Sequence, residues 1–270
     1  MGTTFADLTA VTPIGPDEYR ATIDETSWIV RGPNGGFLAA LVVRAVEARL
    51  AELEGPVRAP RSITLHYPAV PENGPATVRT RVVRVGRSLA TVAAEIVQGD
   101  RVAVTALVAC SPPWPGIEFD DAPMPAVAAR DATPRSERDI PLPYMEHWEQ
   151  RIALGTLPFG GGDKAETGGW LALTDSVTPL DAAAVVAMTD AWPPAIFTRS
   201  TERGSMGVPT VDLTVHLRRS LPAPCLQPGD AALVRFTTRT SHEGFIEEDG
   251  EVWAPDGTLL AHSRQLAVLL

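Results

Sequence analysis

An aspartate near the end of an apolar helix is the side chain in this sequence best suited to acid–base chemistry. The segment from Thr178 to Trp192 is almost entirely apolar, and a helix that is apolar on every face is buried on all sides. Thr178 is the predicted N-cap and Pro179 the first helical residue, and Pro193–Pro194 ends the helix. Asp190 falls in the last turn, where burial and the helix dipole raise the pKa of a carboxyl group. Asp190 therefore either pairs locally at the helix exit or serves as a catalytic acid or base.

Other catalytic and metal-binding motifs are absent from the sequence. No GxSxG pentapeptide occurs, which argues against an α/β-hydrolase. The histidines are dispersed without HExxH or any other metal-binding spacing, and Cys110 and Cys225 lie far apart. The Gly160–Lys164 run lacks the spacing of a phosphate loop and is predicted to be a hairpin loop. The sequence therefore predicts neither a metal ion nor a cofactor.

The charge and hydropathy of the chain exclude several functional classes. The net charge of −10 over 270 residues argues against binding to nucleic acid or to a membrane surface. No run of 18 apolar residues and no secretory signal occurs, so the sequence predicts a soluble, cytoplasmic protein. Lys164 is the only lysine, and every other basic residue is an arginine, which suits bidentate contact with an anionic ligand.

The first half is predicted to contain one apolar helix followed by antiparallel strands. Glu18–Ile23 and the short segment Trp28–Val30 favour strands, and the turn Arg31–Gly36 leads into a helix over Phe37–Leu50. Alternating polar and apolar residues predict further strands at 62–67, 76–85, 89–97 and 102–110.

The second half repeats that order after a linker. Residues 112–140 are rich in Pro, Asp and Ala and show little periodicity, which is typical of a linker crossing the surface. Strands are predicted at 144–154 and 167–173, before the Asp190 helix, and at 211–217, 231–240, 245–253 and 259–269 after it. The predicted domains are therefore 1–111 and 141–270.

The two halves also share a short sequence pattern. Ile63–Tyr67 matches Leu213–Leu217, and each segment lies just after the apolar helix of its half. A long sheet wrapped around one helix explains why that helix is apolar on every face. The sequence thus predicts an α+β pseudo-dimer of two units, each an antiparallel sheet wrapped around one apolar helix.

This architecture is the double hot dog, and nearly the whole chain resembles the acyl-CoA thioesterases of the thioesterase II type. In the first half, Trp28 and the Asn34–Ala40 segment look like the family's Gly-Gly entry to the helix, although Phe37 replaces a frequent glutamine. In the second half, the family's catalytic Asp, Ser/Thr and Gln correspond to Asp190, Thr210 and Gln265.

The resemblance implies that these three residues activate a water for hydrolysis of a fatty acyl-CoA thioester. Asp190 would be the general base, and Thr210 and Gln265 would orient the water. Oxyanion donors could come from the backbone N–H groups of Gly35, Gly36 and Phe37, if the first helix starts near Asp190. Arg218 and Arg219, or Arg199 and Arg203, could hold the anionic part of CoA, and an acyl chain would run beside Val185 and Met188.

Two other functions compatible with this fold stay open at this point. One is a non-catalytic hot dog that binds acyl-CoA or acts as a scaffold, and the weaker one is an enoyl-CoA hydratase. The resemblance also implies a place in fatty acid metabolism and further association of the pseudo-dimers into a homo-oligomer, because the edges of hot dog sheets tend to pair.

Overall fold

A single antiparallel sheet of thirteen strands encloses two buried helices. The computed structural model describes residues 3–137, 141–202 and 207–270. Its helices are α1 (Phe5–Leu8), α2 (Gly35–Ala51) and α3 (Ala182–Met188). The strands of the first half are β1 (Thr12–Gly15), β2 (Glu18–Ile23), β3 (Ala59–His66), β4 (Gly74–Val85), β5 (Ala90–Gln98) and β6 (Arg101–Ser111). Those of the second half are β7 (Trp148–Gly155), β8 (Ala165–Leu173), β9 (Thr210–Leu217), β10 (Ala231–Thr238), β11 (Ser241–His242), β12 (Phe245–Trp253) and β13 (Leu259–Val268).

The order of the strands reveals a pseudo-twofold axis at the centre of the sheet. The order is β1-β2-β4-β5-β6-β3 in one half, continued by β9-β13-β12-β10-β8-β7 in the other. The halves join where β3 pairs with β9, and Thr64 lies opposite Thr214 with a hydroxyl–hydroxyl distance of 3.3 Å. On either side of this pair Ile63 lies opposite Val215 and Leu65 opposite Leu213. The repeated pattern in the sequence therefore marks the two central strands, as a pseudo-dimer requires.

The two apolar helices predicted from the sequence, α2 and α3, lie against each other inside this sheet. Every residue of α3 is buried, and so are most residues of α2, including Phe37, Leu41 and Val46. A helix in this position has apolar neighbours on all sides, which explains why neither helix has a polar face in its buried part. No helix in the described ranges has the length and hydropathy needed to span a bilayer.

Three local predictions are wrong. Thr178 and Pro179 do not begin α3: the Thr178 hydroxyl accepts a hydrogen bond from the backbone of Ala6 in α1, and the side chain of Asp181 caps the helix, which runs from Ala182 to Met188 and so ends before Pro193–Pro194. Trp28–Val30 is not a strand, because the chain turns back at once and Trp28 forms only an isolated bridge with Pro33. The predicted strand at 144–154 begins as a 3₁₀ helix, Pro143–His147, so β7 starts later.

The segment between the two halves crosses the outer face of the second half. Residues 112–129 have no regular secondary structure. Met124 and Val127 pack on a cluster that includes Trp170 and Trp253, and the Trp170 indole donates to the carbonyl of Ala128 at 2.9 Å. This side of the sheet is therefore covered, and the candidate site has to lie on the inner side or at the junction of the halves.

Candidate active site

Asp190 lies where the exit of α3 meets the start of α2. The α-helix ends at Met188, and Asp190 follows in a tighter turn in which its N–H donates to the carbonyl of Ala187. Its Oδ2 accepts hydrogen bonds from the backbone N–H of Gly36 at 2.9 Å and from Nδ2 of Asn34 at 3.0 Å. The Asn34 amide also donates to the backbone carbonyl of Asp190 at 2.8 Å. The carboxylate of one half is thus held by the helix N-terminus of the other half.

The close approach of the two helices depends on the paired glycines. A Cβ on Gly36 would lie 2.7 Å from the carbonyl oxygen of Ala187 and 3.0 Å from the Cβ of Asp190. A Cβ on Gly35 would lie 3.0 Å from Oδ2 of Asp190. The hydroxyl of Tyr67, just after β3, donates to the carbonyl of Gly35 at 3.0 Å and fixes this helix start. The glycines therefore allow a backbone–carboxylate contact that a side chain would block.

Two opposing effects set the protonation of Asp190. Burial is the larger and raises the pKa of its carboxyl group to about 6. The backbone N–H groups of Gly36 and Gly35 and the side-chain amides of Asn34 and Gln265 act in the other direction. Donors at a helix N-terminus stabilise an anion, so the carboxylate is ionised at neutral pH and still basic enough to accept a proton.

The side chains of Thr210 and Gln265 meet in the same region. The hydroxyl of Thr210, at the start of β9, donates to Oε1 of Gln265 on β13 at 2.9 Å. Gln265 is buried on the inner face of the sheet, and its amide lowers the pKa of Asp190. The three residues identified from the sequence thus lie together at the junction.

The sequence reasoning missed a second carboxylate, Glu248 on β12. Glu248 lies directly opposite Gln265, and its Oε1 accepts from Nε2 of Gln265 at 2.9 Å. Its Oε2 accepts from the backbone N–H of Ala195 at 2.5 Å. Burial raises its pKa to about 7, offset by these two donors and increased further by Asp190 and Glu247. The alternation of Phe245–Trp253 places Glu248 among the inward-facing residues, and this was the available signal.

The predicted oxyanion donors are already occupied. The N–H of Gly36 donates to Asp190 and that of Phe37 donates to the capping Oδ1 of Asn34 at 3.0 Å. Gly35 also acts on Asp190, whose pKa its backbone lowers. The side chain of Phe37 is completely buried in the core. The start of α2 therefore holds the candidate base, and the N–H groups of Gly36 and Phe37 are not free to bind a substrate oxygen.

The structure does not bring the predicted pair of arginines to this junction. Arg218 and Arg219 follow the end of β9, whereas Thr210 is at its start. Residues in a strand rise about 3.3 Å each, so the length of β9 separates the pair from Thr210. Arg219 pairs with Asp120 of the linker at 2.7 Å. The binding of the anionic part of CoA by Arg218 and Arg219 stays a prediction, and it would have to take place away from Asp190, Thr210 and Gln265.

The remaining ligand-binding candidates lie elsewhere or in the core. Arg199 lines a surface cleft together with Lys164, and Arg203 lies outside the described residues. Val185 and Met188 of α3 are completely buried core residues.

Comparison with known proteins places the chain in a family. The family model of the acyl-CoA thioesterase N-terminal domain matches residues 25–111, and that of the C-terminal domain matches residues 120–269. Among curated proteins no match was found.

Solved structures share the fold over almost the whole chain. A conserved protein of unknown function with the hot dog fold from Alicyclobacillus acidocaldarius is 25% identical, with a TM-score of 0.89 over 98% of this chain and 97% of that one. A proposed thioesterase II from Thermobifida fusca is 26% identical, with a TM-score of 0.82 over 99% of this chain and 98% of that one. The acyl-CoA thioesterase II TesB2 from Mycobacterium marinum is 19% identical, with a TM-score of 0.79 over 99% and 98%, which shows the fold alone. The chain has a double hot dog fold and belongs to the acyl-CoA thioesterase family.

Proposed function

We propose that the protein hydrolyses a fatty acyl-CoA thioester with a water molecule activated by Asp190. Membership of the acyl-CoA thioesterase family supports the reaction class. The observation that carries the assignment to this site is the carboxylate at the junction of the halves, within reach of a hydroxyl and an amide. Thioester hydrolysis needs an activated water and a donor for the developing oxyanion, and these groups supply both kinds of chemistry.

Asp190 is proposed as the general base. The hydrogen bonds to its carboxylate from Asn34 and Gly36 fall on Oδ2. Oδ1 is then the oxygen that takes the proton of water as the water oxygen attacks the thioester carbonyl. The resulting tetrahedral intermediate collapses and expels the thiolate of CoA, which takes the proton held by Asp190 and leaves as the thiol, so that the carboxylate of Asp190 is regenerated. The raised pKa of Asp190, about 6, suits a base that works near neutral pH.

Thr210 and Gln265 are proposed to orient the water and the carbonyl. The Thr210 hydroxyl donates to Oε1 of Gln265, so its own oxygen is an acceptor for the second proton of the water. The NH₂ group of Gln265 donates one N–H to Glu248, and its second N–H, which acts on Asp190 in this structure, is the donor proposed for the developing oxyanion. This role replaces the one expected for the start of α2, where the N–H of Gly36 binds Asp190 and that of Phe37 binds Asn34.

Hydrolysis of a panel of acyl-CoAs, with released CoA measured by a thiol reagent, tests the proposal. We expect turnover by the wild type and a loss of about 10²- to 10⁴-fold in kcat for Asp190→Asn, because the amide cannot accept the proton. Asp181→Asn is the matched control: it alters the cap of α3 at the opposite junction and should keep kcat within about twofold. Equal rates for wild type and Asp190→Asn would remove Asp190 from the mechanism. Binding of acyl-CoA without turnover would favour the non-catalytic reading, and loss of enoyl absorbance would indicate a hydratase.

A further inference from the structure

Glu248 connects three parts of the molecule that meet at the candidate active site. It lies on β12, and its two carboxylate oxygens bind Gln265 of β13 at 2.9 Å and the N–H of Ala195 at 2.5 Å. Ala195 starts the 3₁₀ helix Ala195–Thr198, which follows Asp190 after a short double-proline segment. The side chain therefore ties the strand that carries the amide to the segment that carries the base. Glu248 is only 4% exposed, so this contact is made away from solvent.

The fold itself does not need a carboxylate at this position. Gln265 pairs with Leu213 on one side and with Glu248 on the other. In the first half, the residue that pairs with Ile63 is Val108, and Val108 pairs with Val92 on β5.

Ile63 and Leu213 are equivalent in the sequence repeat. Val108, which pairs with Ile63, is therefore the counterpart of Gln265, and Val92 is the counterpart of Glu248. Both valines are fully buried. A carboxylate is costly to bury even when it accepts hydrogen bonds, whereas an apolar pair stabilises the sheet. A buried Glu248 is thus a cost that the architecture alone does not require.

The contacts of Glu248 determine which way round the amide of Gln265 lies. A carboxylate can only accept hydrogen bonds, so it selects the NH₂ end of the amide. The opposite end, Oε1, then faces the hydroxyl of Thr210, which donates to it at 2.9 Å. If the amide turned over, its oxygen would face the Glu248 carboxylate and its NH₂ group would face the Thr210 hydroxyl. The amide of Gln265 therefore has one orientation in which its hydrogen bonds to Glu248 and Thr210 are both satisfied.

We propose that Glu248 is a positioning residue that holds the amide of Gln265 in its working orientation at the active site. Glu248 acts through Gln265 and does not touch the reacting atoms. This inference rests on the proposed thioesterase function, in which Gln265 orients the water and the carbonyl. It adds a fourth member, and a chain of contacts, to the trio implied by the family resemblance.

The Glu248→Gln variant is the direct test. Glutamine offers one oxygen and one NH₂ group, so it cannot accept from both Ala195 and Gln265, and its NH₂ end favours the reversed amide of Gln265. We expect kcat for acyl-CoA hydrolysis to fall about ten- to hundredfold with KM within about threefold, as for a misplaced orienting group. Asp249→Asn is the matched control, because Asp249 is the next residue on β12 and pairs with Arg264 on the outer face. It should keep kcat within about twofold.

A double-mutant cycle separates positioning from a general structural effect. If Glu248 acts through Gln265, Glu248→Gln should lower kcat in the wild type but change it less than about twofold in a Gln265→Ala background. Urea unfolding at pH 8 checks the fold: Glu248→Gln removes a buried charge but leaves a buried group unpaired, and these effects oppose each other, so the variant should unfold in one transition with the m-value of the wild type. Equal, additive losses in both backgrounds would overturn the proposal.

The pH profile supplies a second readout that a structural role would not change. Asp190 beyond α3 raises the pKa of Glu248, and so does Glu247, whose side chain lies on the other face of β12. The titratable groups facing Asp190 include Tyr67 after β3 and Tyr144 of the 3₁₀ helix before β7. Protonation of Glu248, whose pKa is about 7, removes the carboxylate that selects the NH₂ end of Gln265, so the acidic limb of kcat/KM in the wild type depends on Glu248 as well as on Asp190, whose pKa is about 6. Glu248→Gln leaves only Asp190, so this limb should move to lower pH. An unmoved limb together with an unchanged kcat would contradict the proposal.

The two proposals fail in different ways. A wild type that does not hydrolyse any acyl-CoA, or an active Asp190→Asn variant, would contradict the proposed function. A wild type that depends on Asp190 but is indifferent to Glu248→Gln would contradict only the positioning role.

Discussion

The two helix junctions of the pseudo-dimer have the same geometry and opposite chemistry. At one, the N-terminus of α2 meets the residue that follows α3, and Asn34 and Gly36 hold the carboxylate of Asp190. At the other, Asp181 at the N-terminus of α3 meets Arg44 on α2 in an ion pair of 2.6 Å. One junction thus leaves a carboxylate with only neutral partners, and the other neutralises its carboxylate with a cation.

The residues around each junction follow the same division. Asp190 is as far along the chain from the cap Asp181 as Val43 is from the cap Asn34, and Val43 is completely buried. On the sheet, the pair Glu248–Gln265 corresponds to the apolar pair Val92–Val108 of the first half. The duplicated architecture therefore supplies two equivalent positions: one holds polar side chains, and the other holds packed apolar side chains.

The opposite junction is also covered. The short helix α1 lies beside it, with the backbone of Phe5 donating to Asp175 at 2.8 Å and the Phe5 ring packed edge-on against Trp148. Thr9, just beyond α1, contacts the guanidinium of Arg44 at 3.4 Å. The comparison teaches that one junction pairs its carboxylate with a cation, while the junction at Asp190 keeps the groups that can do chemistry.

Gly36→Ala should have the largest effect on the junction that holds Asp190. The new methyl group would lie 2.7 Å from the carbonyl of Ala187 and 3.0 Å from the Cβ of Asp190, so the helices must move apart at the candidate site. We expect a loss of about a hundredfold in kcat for acyl-CoA hydrolysis, with destabilisation of about 1–3 kcal/mol. Gly116→Ala, where nothing lies within 4 Å of the added Cβ, is the control. A variant with wild-type kcat would show that the helix contact does not set the position of the base.

Arg44→Met should affect the opposite junction and leave the chemistry alone. It leaves the partly buried Asp181 without its cation, and we expect destabilisation of about 1–3 kcal/mol in urea unfolding. The kcat for acyl-CoA hydrolysis should stay within about twofold. Arg79→Met breaks an exposed pair with Glu18 and should cost less than about 1 kcal/mol. A large loss of kcat in Arg44→Met would mean that the two junctions are not separate in function.

Glu47→Gln should give the smallest effect and only at high pH. Burial, followed by repulsion from Asp181, raises the pKa of Glu47 to about 7, and Arg44 acts against this increase. A carboxyl group whose pKa is raised on folding costs stability when it is ionised, so the wild type gains stability as pH falls from about 8 towards 5. The variant should be more stable by about 1 kcal/mol at pH 8 and no different near pH 4. The exposed Glu54→Gln is the control, and an equal gain in that variant would contradict the role of burial.

Much of the fold could be predicted from the sequence, because buried faces of helices and strands give periodic patterns of apolar residues. Helices that are apolar on every face predicted central helices, and alternating residues predicted the long strands to within a few residues. The repeat at Ile63–Tyr67 and Leu213–Leu217 predicted the pseudo-dimer and marked its central strands. Asp190 could be selected because a carboxylate in an apolar helix is costly unless it is paired or functional.

The partners of these residues were decided by the tertiary structure. Asn34 and Asp190 are distant in the chain, and only the packing of α2 against α3 joins them. The same packing uses the N–H group of Gly36, whereas that of Phe37 is taken by the local cap Asn34; the sequence left both as oxyanion donors. Strand register places Glu248 opposite Gln265, although local alternation marks Glu248 only as inward-facing. Periodicity records whether a side chain faces the core, whereas the register of strands and the approach of helices determine which group it meets there.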